Sequence, residues 1–405
     1  MLTLDIASPE EDVRSTAHAP IPLMQRAPEA PAHHCEWRPL ADLHSIVPQW
    51  KALAARTLEP NIFYEPAFAL PATKVFGRHA GAVLVWSDDT QRHLVGLFPA
   101  CVEHHRYGIP LPLLVGWTHP YAPFGVPLVD AIEAEAVVSA WLDFIAQARA
   151  LPHIMLLPYL RQDGPFSAVL YAAVATHRGR AATYDLHARA MLAPATDRNN
   201  YVDGALAPKK RRELRRQAKH LSAHAPLAFI YANDPPAVAA GLNEFLRLES
   251  TGWKGRVGTA AANDPATRAF LVSAVEGLAS SKQTGIARLM LGENTIVVGI
   301  VLRSGSSAWF WKIAYDEAFA AASPGVQLTL GLTEHLLADA TFVQADSCAT
   351  ADHPMMDHLW RERLSVGDLL ITPSPSGAFT VASRLEHMRR DAITTLRSIK
   401  RKLRG

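Results

Sequence analysis

The sequence predicts an α+β protein made of two similar halves, each with a sheet flanked by helices. Two observations lead to this fold class. Apolar and β-branched runs typical of strands alternate with longer segments of helical periodicity along most of the 405 residues. The same succession of elements then occurs a second time in the C-terminal half, which indicates duplication although no repeated words survive.

The first half begins after a leader. Residues 1–34 are rich in proline, alanine and charge and have no hydrophobic period, so we expect a disordered segment. A helix is predicted near residues 41–55. Three strands, a helix, a strand and a helix are predicted next: "GAVLVW", "HLVGLFPACVE", "LPLLVGW", residues 131–150, "HIMLLP" and residues 165–177.

The second half has the same order. The turn signals "GEN" and "SGS" separate the strands "IARLML", "TIVVGIVLR" and "SAWFWKIAY", which predicts an antiparallel meander. The helix predicted at residues 324–340 is apolar on almost every face. It is followed by the strand "TFVQADS", a short helix around residues 354–364 and the strand "DLLITPS".

The C-terminal segment is predicted to be a basic amphipathic helix. Its apolar strip consists of Leu385, Met388, Ala392, Leu396 and Leu403. The chain therefore divides into four predicted segments: the leader 1–34, an N-terminal domain 35–195, a C-terminal domain 196–375 and the helix 376–405.

Composition excludes several classes of protein. With 49% hydrophobic and 19% charged residues, the chain has the composition of a globular protein with a sizeable core. The formal net charge of +2 predicts no overall attraction to nucleic acid or to a membrane. Three widely spaced cysteines argue against a disulfide framework, and no apolar run is long enough for a transmembrane segment. The N-terminus lacks the pattern of a signal peptide, so a cytoplasmic location is expected.

Three stretches of the second half together resemble a known family. They are "PKKRRELRRQAKHL", "FLRLESTGWKGRVGTA" and "WKIAYDEAFAAASPGVQL". They are similar to a bacterial family of tandem-GNAT proteins described as acetyltransferases of cellulose and exopolysaccharide biosynthesis, which is related to the Fem peptidyltransferases. The resemblance is specific over residues 208–365, and the meander, helix, strand order also matches the GNAT core. It implies two GNAT-like (acyl-CoA N-acyltransferase) domains, each a mixed twisted sheet with flanking helices.

The segment "SPG" is the candidate donor site. Ser323 is a suitable N-cap, Pro324 suits the first helical position and Gly325 leaves the first turn without a side chain. Such a helix start can bind an anion through backbone N–H groups, here those of Gly325, Val326 and Gln327. The alternative is a well-capped buried helix. The resemblance implies that acetyl-CoA or another acyl-CoA lies between the strands "SAWFWKIAY" and "TFVQADS", with Lys312 at the mouth.

Carboxylates and a tyrosine are the candidate catalytic groups. Glu249 falls on the apolar face of a predicted helix, next to Trp253 and Lys254 as candidate acceptor-binding residues. A carboxylate there is either a general base or one half of a structural ion pair, and the sequence leaves both open. The strand ends supply three further candidates: Tyr315 as the acid for the leaving thiolate, Asp316 at the acceptor and Asp346 as a second possible base.

The run "PKKRRELRRQAKHL" is predicted to form a basic helix over an apolar strip of Leu214, Ala218 and Leu221. Its basic residues include Arg212, Arg216 and Lys219. Three interpretations remain open: a solvated face, contact with an anionic acceptor or surface, and nucleic acid. The absence of aromatic residues in the run disfavours nucleic acid, although the related Fem enzymes use aminoacyl-tRNA.

The sequence predicts direct transfer rather than a covalent intermediate. No Ser/His/Asp arrangement or phosphate-binding glycine motif occurs in a fitting context, and His353 and His358 have no further partners at metal spacing. The hypothesis is an acyltransferase moving an acyl group, acetyl in the first instance, from acyl-CoA to an amine or hydroxyl of a small-molecule or saccharide acceptor. The alternatives are a Fem-like aminoacyl transferase and a non-catalytic GNAT-like scaffold of a polysaccharide-synthesis complex.

Overall fold

The computed structural model describes residues 33–87, 92–194 and 198–402, with all their side chains except those of residues 199 and 396–402. Most of the predicted leader, residues 1–32, therefore lies outside the described residues. The first half contains, in chain order, β1 (His33–Pro39), α1 (Val47–Ala55), α2 (Pro66–Phe76), β2 (Ala80–Ser87), β3 (Leu94–Glu103), β4 (Leu113–Gly116), β5 (Leu128–Val129), α3 (Ala134–Gln147), β6 (Met155–Arg161), α4 (Pro165–Thr176) and β7 (Arg180–Leu192).

The second half begins with two helices and repeats the pattern of strands and helices. It contains α5 (Tyr201–Ala205), α6 (Pro208–Ser222), β8 (Leu227–Ala232), α7 (Pro235–Thr251), α8 (Trp253–Arg256), α9 (Pro265–Ala279), β9 (Thr284–Leu291), β10 (Asn294–Ser304), β11 (Ser307–Tyr315), α10 (Pro324–Ala338), β12 (Gln344–Asp346), α11 (Met356–Leu359), β13 (Glu362–Thr372) and α12 (Gly377–Lys402). A 3₁₀ helix, Glu317–Ala322, precedes α10.

Over the described part of the chain, thirteen strands form one mixed sheet. Twelve of them follow the order β1-β2-β3-β4-β6-β13-β7-β12-β11-β10-β9-β8, and β5 pairs beside β3. The pairs β4–β6 and β11–β12 are parallel, and the other pairs are antiparallel. The mixed sheet with flanking helices confirms the predicted fold class.

The two halves are joined by an exchange of strands. β13, the last strand of the second half, lies between β6 and β7 of the first half, and β7 in turn pairs with β12. One hydrophobic core also extends across both halves: Phe68 of α2 packs edge-on against Phe270 of α9 and Trp311 of β11. The halves therefore form one continuous sheet with shared packing between them.

Several predicted elements differ from the observed ones. The helix expected around residues 354–364 is a single turn, because β13 already begins at Glu362 to pair with β7. Phe379, Ala382 and Glu386 form the buried side of α12, whereas Met388 of the predicted strip is 67% exposed. Of the predicted strip, Leu385 packs against the core as expected, Ala392 is exposed, and the Leu396 side chain and Leu403 lie outside the described part of the chain. The strip was wrong at Met388 because Glu386, which accepts hydrogen bonds from Arg106 and Tyr107, takes the buried place on that turn.

No helix among the described residues combines the length and the hydropathy needed to cross a membrane. The three cysteines are free thiols, each partly buried.

Candidate functional site

An opening separates β11 from β12. The two strands pair in parallel over only three residues of each, from Ser307 with Gln344 to Trp309 with Asp346. β12 then ends, while β11 continues to Tyr315 and stays paired with β10 on its other side. Residues 310–315 therefore have no strand partner, among the described residues, on the side where β12 ends. An extended ligand can add to a free strand edge of this kind through main-chain hydrogen bonds.

A β-bulge at Trp311 lies beside this opening. Ile300 pairs with Lys312 and Val301 pairs with Phe310, so Trp311 is an extra residue in β11. A bulge interrupts the alternation of side chains and leaves one residue unpaired in the ladder.

The bulge directs two consecutive side chains towards the first half. Trp311 Nε1 donates a hydrogen bond to the carbonyl oxygen of Tyr121 (2.8 Å). The ammonium of Lys312 lies over the Tyr121 ring, 4.1 Å from its centroid. Both contacts are made with the loop between β4 and β5.

Two bases near the opening, Lys312 and His119, have strongly lowered pKa values. Burial, together with the charge of Lys254, lowers the pKa of Lys312 to about 8, while Glu249 acts in the opposite direction. The nearby His119 stacks on Phe76 with a ring separation of 4.4 Å, and burial lowers the pKa of His119 to about 3, so its imidazole is neutral. At pH 7 about a tenth of Lys312 is therefore uncharged, and the neutral fraction grows as the pH approaches 8.

Glu249 is buried and both of its oxygens are used. Oε1 accepts from Lys254 Nζ (2.8 Å) and Oε2 accepts from the Ala261 N–H (2.9 Å). Only 8% of the residue is exposed. Of the two roles that the sequence leaves open, this geometry favours the structural ion pair.

Asp346 lies in a second buried ion pair. It accepts from the Arg189 guanidinium and from the Cys348 N–H (2.8 Å), and Arg189 also donates to the Pro123 carbonyl (2.9 Å). These bonds tie β7, β12 and the β4–β5 loop together where β11 and β12 are still paired. Asp346 therefore closes the inner end of the opening, which does not fit its predicted role as a base.

Of the other candidate residues near the end of β11, some line a cavity and one caps a helix. Tyr315 and Lys254 line one small cavity with Trp253, which is 54% exposed. Asp316 accepts from the Ala318 N–H (3.0 Å) and caps the 3₁₀ helix, and its contact with an acceptor stays a prediction. Glu317 holds the neighbouring loop by accepting from the Trp253 N–H (2.7 Å).

The start of α10 differs from its prediction. Ser323 has left-handed backbone angles, φ 50° and ψ 51°, and its side chain makes no capping hydrogen bond. Its carbonyl instead accepts from the N–H groups of Val326 (3.0 Å) and Gln327 (3.2 Å). Ser323 is thus the N-cap residue of α10, as predicted, but it holds the first turn through its carbonyl and not through its hydroxyl. Two of the three N–H groups expected to bind an anion are thus already used.

Gly325 stays a candidate for the donor site. A Cβ atom added there would lie 3.4 Å from Met355 Sδ and 3.5 Å from Ile313 Cδ1, one residue on each side of the opening. The N–H of Gly325 is not among those that the Ser323 carbonyl accepts. Pro324 is buried behind it, and the Gln327 amide donates to the Leu214 carbonyl (2.9 Å) instead of facing a ligand.

The basic helix α6 packs over the start of α10. Leu214 and Leu221 are buried and Ala218 is half-buried, as the predicted strip requires, and the basic side chains are exposed: Arg212, Arg216 and Lys219. Two cavities flank this helix. One, of about 520 Å³, is lined by residues 216–224 and 318–322, and the other, of about 620 Å³, by residues 205–210, Val326 and residues 354–359.

The corresponding opening of the first half is filled by the chain itself. β4 and β6 pair in parallel at Leu114–Met155 and Val115–Leu156 and then diverge, as β11 and β12 do. The Gly125 N–H, however, donates to the Tyr159 carbonyl (3.1 Å), and a Cβ atom at Gly125 would lie 2.1 Å from the Pro158 carbonyl oxygen. The β4–β5 loop thus occupies the gap in the first half and presents Tyr121 to the second.

Sequence reasoning missed Tyr121, His119 and Cys348. The segment "GWTHPYAPFG" has neither periodicity nor a motif, and some 190 positions separate Tyr121 from Trp311. Cys348 follows the end of β12 with a positive φ of 51°. The resemblance over residues 208–365 was the one signal that pointed to this region of the second half.

Comparison with known proteins agrees with this architecture. Residues 208–352 match the family model described as an acetyltransferase (GNAT) domain. No curated protein sequence matches the chain.

Several solved structures are similar to the chain, among them the following three. The crystal structure of FemX superposes with a TM-score of 0.52 at 8% identity, over 80% of this chain and 95% of that chain. A conserved protein of unknown function from Bacteroides thetaiotaomicron VPI-5482 gives 0.50 at 10% identity, over 80% and 97%. The C-terminal domain of a putative lysylphosphatidylglycerol synthetase from Agrobacterium fabrum gives 0.48 at 12% identity, over 84% and 95%. The protein thus has the GNAT fold, and residues 208–352 match the model of an acetyltransferase (GNAT) domain.

Proposed function

We propose that the protein transfers an acyl group, acetyl in the first instance, from acyl-CoA to an amine or hydroxyl acceptor. The opening between β11 and β12, with the bulge at Trp311 and the half-buried Lys312 beside it, carries this proposal. The pantetheine arm would lie along residues 310–315 as an added strand. The acceptor would enter past Tyr121, on the side of the opening that faces the first half. The equivalent opening of the first half is filled by the β4–β5 loop and is not available to it.

The chemistry would be a direct transfer within a ternary complex. The acceptor nitrogen or oxygen attacks the thioester carbon, the carbon–sulfur bond breaks and CoA leaves as the thiolate. Backbone N–H groups of β11 beside the bulge would stabilise the oxyanion. Neutral Lys312 would take the proton of the attacking group, and Tyr315 would return one to the thiolate. Holding both substrates in this geometry would supply much of the rate enhancement.

We further propose that the acceptor belongs to the saccharides or cell-envelope precursors. The resemblance to exopolysaccharide acetyltransferases suggests this class. The exposed Trp253 beside Lys254 offers an aromatic face and a cation at the mouth of the small cavity that contains Tyr315.

The second candidate is aminoacyl transfer of the Fem type. The similarity to FemX and the exposed basic face of α6 favour it. An aminoacyl-tRNA would place its acceptor stem against α6, and affinity would then fall steeply with salt.

Isothermal titration separates these candidates. We expect acetyl-CoA to bind with a stoichiometry of one and to be turned over to free CoA when amines and saccharides are supplied. Binding of aminoacyl-tRNA without any affinity for acyl-CoA would support the second candidate. Tight binding of CoA with no turnover of any acyl donor would support the non-catalytic scaffold.

A further inference from the structure

The last helix, α12, is packed against the sheet only through about its first three turns. Phe379, Ala382 and Glu386 are its buried residues. Beyond Glu386 none of its described side chains is buried, and four of the five side chains of residues 391–395 are exposed. From Glu386 the helix continues to Lys402, which is a length of about 24 Å at the usual helical rise. The second half of α12 is therefore, over its described side chains, mostly open to solvent.

An apolar strip runs along the outer face of α12. Val381 is 46% exposed and Met388 is 67% exposed, although both are large apolar residues. Ala392 is exposed four residues after Met388, on the same face of the helix. Met388 follows Phe379 by about two and a half helical turns, so the strip lies on the side opposite the buried residues. We call Val381, Met388 and Ala392 the outer strip.

The sequence continues the outer strip and adds positive charge. Leu396 and Ile399 follow Ala392 at spacings of four and three residues, which is the spacing of one helical face. Residues 392–405 also contain five Lys or Arg and no Asp or Glu. An apolar strip and a surplus of bases are thus combined in one segment.

An anionic lipid surface fits both features. A basic amphipathic helix lies in the plane of a membrane, where its apolar face enters the headgroup region and its bases attract anionic lipids. A second copy of the chain would offer another apolar strip, but the two sets of bases would repel each other. Nucleic acid would attract the bases and leave the strip in water. Asp185 of β7 pairs with Arg389, so this acid does not compensate the bases after Ala392.

We propose that the outer face of α12 holds the protein on an anionic membrane surface. The outer strip faces the lipid, and the bases that follow it in the sequence contact the phosphate headgroups. The contact is peripheral and reversible, and salt weakens it because exposed charges are screened. It does not depend on which donor or acceptor the proposed transfer uses.

The test is sedimentation of the full chain with vesicles made of equal parts of phosphatidylserine and phosphatidylcholine, and with vesicles of phosphatidylcholine alone. The parent should bind the anionic vesicles about tenfold or more tightly than the neutral ones, and added salt should reduce the difference. The strip variant Met388→Gln/Leu396→Gln/Ile399→Gln keeps every charge and should lose about tenfold in affinity. The base variant Arg397→Gln/Lys400→Gln/Arg401→Gln should lose a similar amount.

Two control variants are matched to these. Val343→Gln removes an apolar side chain that is 61% exposed, elsewhere in the second half. Arg212→Glu/Arg216→Glu/Lys219→Glu reverses three exposed charges on the other basic helix, α6. Both controls should bind anionic vesicles like the parent. The strip and base variants should melt like the parent and keep its affinity for acetyl-CoA, because their substitutions lie beyond the packed part of α12.

Each other outcome overturns the proposal. The parent could fail to bind either kind of vesicle or bind both equally. Full binding by the strip variant would show attraction of charge alone, and equal competition by a duplex RNA would assign the bases to nucleic acid. Loss of binding in the α6 variant, with full binding in the base variant, would place the contact on α6. A parent that is a dimer in solution and becomes a monomer in the strip variant would give the outer strip to a second copy.

Discussion

The ammonium of Lys312 lies 4.1 Å from the ring centroid of Tyr121, and this contact joins the two halves of the molecule at the proposed acceptor entrance. Lys312 comes from the strand beside the donor opening, and Tyr121 comes from the loop that fills the equivalent opening of the first half. The first half thus buries the amine that the second half presents, and burial is the main cause of its lowered pKa.

Thioester cleavage should depend on the neutral form of Lys312. With a pKa of about 8, the neutral fraction falls about tenfold for each pH unit below that value. Release of CoA from acetyl-CoA, corrected for the uncatalysed reaction, should therefore rise with pH and level off above about pH 8. Lys312→Met should lower the rate by about 10² or more and remove this dependence.

Lys312→Arg is the matched variant, because a guanidinium keeps the charge and does not release its proton in this range. We expect it to be as inactive as Lys312→Met. A Lys312→Arg protein with the parent's rate and pH profile would show that Lys312 contributes only its charge.

Glu249 and Lys254 should behave as a structural pair. Glu249→Gln keeps an acceptor for the Ala261 N–H but leaves Lys254 without its anion, and we expect a loss of about 1–3 kcal/mol in the free energy of unfolding. Lys254→Met should cost a similar amount, and the double variant should cost less than the sum, as urea unfolding can measure. A Glu249→Gln protein that is as stable as the parent but turns over 10² more slowly would instead make Glu249 the base.

Ser323 and Gly325 should respond oppositely to substitution. Because Ser323 adopts a left-handed conformation and makes no side-chain cap, Ser323→Gly should raise stability by about 0.5–1 kcal/mol. Gly325→Ala fits between Ile313 and Met355 and should still bind acetyl-CoA, whereas Gly325→Leu should fill the opening and abolish binding.

Thermal melts and titrations of these variants give the comparison. Gly325→Leu should melt within a few degrees of the parent if the two side chains that a Cβ atom there would contact, Met355 and Ile313, move aside to admit it. Undiminished affinity of Gly325→Leu for acetyl-CoA would mean that the donor takes another path.

Glu59 should make the protein less stable as pH rises. It is 4% exposed, and burial raises its pKa to about 7 despite Arg161 Nη1 at 3.5 Å. Between its usual value of 4.5 and about 7, the folded state binds more protons than the unfolded state, so stability falls across this interval. The shift corresponds to about 3 kcal/mol.

Glu59→Gln should flatten this part of the stability profile, measured by denaturant unfolding at a series of pH values. Arg161 keeps a partner in that variant, since its Nε donates to Asp163 (3.0 Å). An unchanged slope between pH 4.5 and 7 would assign the dependence to other groups.

The sequence predicted most of the elements around the donor opening. The meander of β9, β10 and β11 and the helix α10 have strong periodic and turn signals, because each is buried against local neighbours. Glu249 on an apolar helix face was expected to be either part of an ion pair or catalytic. The structure shows it in an ion pair with Lys254.

Other features depend on contacts between distant segments. β7 has polar residues on one face, and nothing local to it indicates that β13 will pair with it. The partner of Asp346 is Arg189, 157 residues away, so its burial in an ion pair could not be read from the strand end. The cap signal at Ser323 gave no indication of the 3₁₀ helix that precedes it or of the left-handed conformation that Ser323 adopts.

A crystal structure of the protein with acetyl-CoA tests the central claim most directly. The account predicts that the pantetheine arm lies between residues 310–315 and the segment after Asp346, with the thioester carbonyl at the Trp311 bulge and Lys312 Nζ facing the acyl carbon from the side of Tyr121. A donor bound beside β4 and β6, or at a site remote from β11, would contradict it.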